Sequence, residues 1–132
     1  MPTTSPLKDG GAETCNCGST TETDTHIELG LRKNVPARQR MIVEVTPTMR
    51  PLTGPGDWST AEIKAAFLGK CVEVGGWMFA DLEHTNAAEN TIPQAKKPKP
   101  KPGHKQMQNW RATVWEIHPV ESIVLSDKGG PP

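Results

Sequence analysis

Histidine and glutamate stand beside one another at three places in this chain: His26 with Glu28, His84 with Glu83, and His118 with Glu116. Imidazole and carboxylate groups converging from separate strands would suit zinc or another divalent metal, or a metal-activated water. His26, His84, His118 and Glu116 are therefore candidate metal ligands. The competing reading makes each histidine a hydrogen-bonding residue at a strand end. His118 leans towards that role, because Pro119 restricts the backbone before it to extended values. His84 and His118 are expected to close two antiparallel strands at opposite ends, which argues against a direct pair between them. Asp24, Glu28, Glu44 and Glu116 could supply paired carboxylates, but nothing in their spacing places two of them together.

A second kind of chemistry sits in residues 93–105, where prolines separate Lys96, Lys97, Lys99, Lys101 and Lys105. Such a run cannot pack and should be extended. It concentrates positive charge in a chain whose 15 basic and 15 acidic side chains otherwise cancel, so no global field selects a partner. Trp110 and Arg111 follow almost directly. Cations that neutralise a phosphate backbone beside a ring on which bases stack are the parts of a single-strand binding groove. Single-stranded nucleic acid or another polyanion is thus the favoured ligand class, with the five lysines, Trp110 and Arg111 as binding residues. The plainer alternative is a solvated linker. With no nucleophile elbow, phosphate loop or metalloprotease helix in the chain, a non-catalytic binding module is expected ahead of a metal-dependent hydrolase.

The elements that must position these groups follow from periodicity. At 132 residues, with 34% hydrophobic content, 13 prolines and 12 glycines, the chain has room for one small domain with much of its length in loops. Residues 1–24 are polar and build no face. Thr25 to Leu31, Arg40 to Thr46, Cys71 to Phe79 and Trp110 to Val120 each alternate apolar with polar residues, as half-buried strands do. Gly75-Gly76 marks a bulge within the third of these, and Pro119 is expected to end the fourth. Ser59-Thr60-Ala61-Glu62 is a capping box that opens a short helix, with Ile63, Ala66 and Phe67 as its stripe and Gly69 as its left-handed stop. The tail after Ser126 should fray. No run is apolar enough to cross a bilayer, and residues 1–20 lack the apolar segment of a signal peptide. Cys15 and Cys17 are too close for a relaxed disulfide with each other. Either could pair with Cys71, and free or singly paired thiols are favoured over structural zinc.

Ala12 to Cys17, Asp24 to Leu29, Gly76 to His84 and above all Trp110 to Val120 resemble a group of small bacterial proteins, often exported, that end in a Trp-Glu-Ile-His-Pro-Val segment and look OB-like. The resemblance spans roughly residues 12–125 and implies a fold and an exported origin, with no activity attached. The chain departs from the group in lacking a leader and a leading strand, and in the Lys-Pro run. The expected architecture is mainly β: a small OB-like five-stranded barrel over residues 25–125 with one short helix, its first strand missing or irregular. A missing strand would leave open edges able to capture a partner strand, so an assembly role is a further expectation.

Overall fold

The computed structural model describes residues 3–9, 18–53, 58–90, 102–103 and 109–127. Within them the fold is mainly β. The strands are β1 (Thr3–Asp9), β2 (Thr25–Gly30), β3 (Arg40–Val45), β4 (Val72–Ala80), β5 (Ala88–Asn90), β6 (Arg111–Thr113) and β7 (Trp115–Leu125). Two helices, α1 (Arg50–Thr53) and α2 (Thr60–Phe67), lie between β3 and β4. Five strands form one mixed sheet in the order β1-β2-β3-β7-β4, and β5 pairs with β6 in a separate parallel pair. Only β3 and β7 run parallel within the large sheet. Among the described residues β1 and β4 end this sheet without meeting, so the expected closed barrel is not observed.

Side-chain alternation sets up two layers. Ile27, Leu29, Val43 and Val45 point to one side, where they meet Trp58, Ile63, Val72, Val120 and Ile123 in the main core. Helix α2 covers this side through Ile63. Ser59 caps it as expected, its hydroxyl accepting from the Glu62 N–H at 3.3 Å, and Gly69 beyond it has φ +75°. Ala66 is exposed, however, so the helical stripe is narrower than its sequence suggests. The opposite side of β3 faces β6, and here Val35, Ile42, Ala87, Ala88 and Val114 are buried outside the main core.

Three strand expectations change. Thr3–Asp9 forms β1 and pairs antiparallel with β2, with a register shift between Thr4 and Leu7. The leading strand is therefore present and irregular. Its pairing comes from backbone hydrogen bonds, which need no alternating apolar pattern. The Trp110 segment divides at Val114 into β6 and β7, which belong to different sheets. Pro119 does not stop β7, which runs on to Leu125 through a cis His118–Pro119 bond. Opposite it, Gly75-Gly76 carries the expected bulge. A Cβ at Gly76 would fall 2.4 Å from the Pro119 carbonyl oxygen and 2.6 Å from Ile117 Cγ2, so only glycine lets the two strands approach here.

Candidate metal centre

The side of the sheet turned away from the main core carries a continuous row of ionisable groups. On β2 these are His26 and Glu28, on β3 Arg40 and Glu44, and on β7 Glu116 and His118. Each alternates with a residue of the opposite layer, so the strand period of two places them together. Register does the rest: His26 lies opposite Glu44, and Val43 opposite Ile117 brings Glu44 beside Glu116 and His118. Asp24 joins from the residue before β2. It is held there by Arg50 of α1, whose Nη2 donates to the Thr23 carbonyl at 2.8 Å and the Thr25 hydroxyl at 3.0 Å.

His118 is the centre of the row. Its Nε2 is 3.2 Å from Asp24 Oδ2, while its Nδ1 is 3.1 Å from Glu116 Oε1 and 3.5 Å from Glu44 Oε2. Asp24 is fully buried, and Glu44 and Glu116 nearly so. His26 Nδ1 reaches the other oxygen of Glu44 at 3.1 Å and its Nε2 is 3.8 Å from Glu28, which Arg40 Nη1 pairs at 2.8 Å. At the far end Arg111 joins Glu116 (2.9 Å) to Asp81 (2.8 Å), and Asp81 also meets His84. One ligand atom from each of Asp24, Glu44 and His118 lies within 4.8 Å of the other two.

The electrostatics follow from this crowding. Burial opposes protonation of His118, yet its hydrogen bonds to Asp24 and Glu116 and the charge of Glu44 outweigh it, raising the imidazole to about 10. His26 is likewise opposed by burial and raised to about 9 by Glu28 and Glu44. Burial works against ionisation of Glu28 and Asp81, but their cationic neighbours hold both below the usual carboxylate range. Five carboxylates (Asp24, Glu28, Glu44, Asp81 and Glu116) thus face two guanidiniums and the histidines. The carboxylates of the row are paired with cationic side chains of the chain itself.

Of the residues singled out by sequence, His26, His118 and Glu116 meet in this row. His84 stands at its edge, bound to Asp81 and edge-on to the Trp110 ring at 5.4 Å. The premise that His118 ends a strand fails, since it is the fourth residue of the 11-residue β7. Ala80 pairs with Trp115, so the end of β4 that leads to His84 adjoins the start of β7. Asp24 and Glu44 are the candidate ligands that their spacing in the sequence left unpaired. The signal for Glu44 was a polar residue alternating within an apolar strand; Asp24, in a polar run just before β2, carried none, and the cross-strand packing that joins them is invisible in one sequence.

Arg111 is 1% exposed, with Nη1 and Nη2 on carboxylates and Nε donating to the Thr113 carbonyl at 2.7 Å. Its guanidinium is committed within the fold and does not reach a ligand surface. Its carbon centre lies 5.4 Å from the Trp110 ring, and Trp110 also approaches His26 at 6.5 Å, so the indole covers the row. Lys96, Lys97, Lys99, Lys101 and Lys105 lie outside the described residues, as do Cys15 and Cys17; Cys71 has a free thiol. No family model, curated protein or solved structure matches this chain.

Proposed function

We propose that this chain is an OB-like domain that binds one divalent cation between Asp24, Glu44 and His118, with Glu116 as a neighbouring carboxylate. The observation that carries the reading is the convergence of those three ligand atoms, within 4.8 Å of one another, from the residue before β2, from β3 and from β7. An ion held at about 2.1 Å in tetrahedral geometry sets its donors about 3.4 Å apart, so side-chain adjustments on the order of an ångström would close the three on it. One imidazole with two or three carboxylates suits Zn²⁺, a borderline ion, or the harder Mn²⁺ with its carboxylate preference, better than Ca²⁺, which prefers oxygen alone. His118 would bind as the neutral imidazole, so ligation displaces its proton.

The fold supports the OB-like part of this reading. Three strands, a helix covering the core and two further long strands follow the OB order, and β5 and β6 are an excursion between the last two. In that fold the outer face of the second and third strands takes the ligand. Here the same face bears His26, Glu28 and Glu44. Its carboxylates oppose a phosphate backbone, and Arg111 is already paired, so a cation is favoured over single-stranded nucleic acid as the occupant of this face.

Thermal unfolding with added ZnCl₂ or MnCl₂ tests the proposal. A ligand that binds only the folded state at a hundred times its Kd stabilises by about 2.7 kcal/mol, a rise of several degrees in Tm. That rise should be absent in Asp24→Asn, a nearly isosteric change that removes one ligand charge. An equal rise in Asp24→Asn, or none in the original protein, would rule out the site.

A further inference from the structure

Two of the three candidate ligands stand inside paired strands, and the third does not. Glu44 lies in β3 and His118 in β7, where the ladder sets the direction of each side chain. Asp24 precedes β2. The pairing of β2 begins at Thr25, which lies opposite Asp9 of β1 and Val45 of β3. The ladder therefore does not by itself fix the backbone that aims the Asp24 carboxylate.

Arg50 supplies what the ladder lacks. Its Nη2 donates to the Thr23 carbonyl and to the Thr25 hydroxyl, one acceptor on each side of Asp24. Hydrogen bonds from a charged donor are roughly twice as strong as neutral ones. Thr25 is fully buried, and its hydroxyl also lies 2.7 Å from that of Thr60, the first residue of α2. A clip thus runs from α1, through the two residues that flank Asp24, to α2. Arg50 Nε is buried and meets no acceptor among the described residues. The guanidinium keeps this pose while one of its own donors goes unsatisfied, so the pose serves the flanking threonines.

On the reading that Asp24, Glu44 and His118 bind a cation, we infer that Arg50 is a positioning residue of that site. It fixes the backbone on both sides of Asp24 and so holds the carboxylate within ligand distance of His118. Charge and position act here with opposite signs. A guanidinium beside a cation site repels the ion, so on Coulomb terms alone its removal tightens binding. Loss of positioning weakens it.

Zn²⁺ affinity of the full chain, measured well below Tm by competition with a chromophoric chelator, separates the two. Arg50→Met should weaken binding about tenfold or more, as removal of a group that orients a ligand does. Arg50→Lys keeps the charge and a donor able to serve both acceptors, and should recover part of that loss. Thr25→Val keeps shape and leaves the guanidinium in place, and should weaken binding about threefold or more through one lost hydrogen bond. The visible spectrum of the Co²⁺-loaded protein should also change in Arg50→Met, because ligand geometry sets it. Unchanged or tighter Zn²⁺ binding in Arg50→Met would overturn the inference and leave the cation site standing. So would a lower metal-free Tm with affinity and Co²⁺ spectrum unaltered, since Arg50 would then serve the fold alone. Should Arg50→Met fail to fold, Thr25→Val decides, and unchanged affinity there overturns the inference. If the original protein takes up no Zn²⁺, the cation reading itself fails and Arg50 has no ligand to position.

Discussion

Arg111 shows how a residue that looks like a binding group becomes part of the frame. From its position after a lysine run it suggests a phosphate contact, yet it bridges Asp81 and Glu116 with almost no exposure. Nothing within residues 110–116 announces this, because Asp81 is thirty residues away and meets it only through the return of the chain. Arg111→Ala should therefore destabilise by about 3–5 kcal/mol, leaving two carboxylates uncompensated. Urea denaturation measures it, and a loss below about 1 kcal/mol would mean the pairs are solvated. Gly76 makes a complementary case. Its place in a bulge was legible from the doublet, but the nearby Pro119 carbonyl was not. Gly76→Ala should lower stability by about 1–3 kcal/mol through overpacking, again read from denaturation midpoints.

At the scale of elements, local signals were reliable wherever the reason for an element is local. The α2 cap, its Gly69 stop and the alternation of β2, β3 and β4 are all short-range patterns. Ser59→Ala should cost about 1 kcal/mol, measurable as a lower Tm with unchanged metal response. Elements with long-range reasons were not legible. Strand β1 exists by pairing with β2, and β5 by pairing with β6 across a chain gap of some twenty residues. The candidate site divides along the same line. His26, His118 and Glu116 could be named from residue type alone, whereas Glu44 acquires meaning only from strand register and Asp24 only from its approach to His118.

For the whole molecule, the row of buried charges ties folding to pH. His26 and His118 are raised in the folded state to about 9 and about 10, from an ordinary value near 6.5. Groups raised on folding stabilise fully below their unfolded value and lose that contribution as pH rises through the folded one. Metal-free protein should therefore weaken steadily between about pH 6.5 and pH 10. Glu28 and Asp81 are lowered on folding, so their contribution is present above the ordinary carboxylate range and fades in acid. Denaturation midpoints at pH 4, 6, 8 and 10 should peak near 6, and a flat profile would contradict the paired state of the row. The central claim is that the same row is a cation site. The most direct measurement is equilibrium dialysis against Zn²⁺ or Mn²⁺ followed by elemental analysis of the folded protein. One ion per chain is expected, falling at least tenfold in occupancy at the same free metal in Asp24→Asn and in His118→Gln. A chain that takes up no ion, or variants that take up as much as the original, would contradict it.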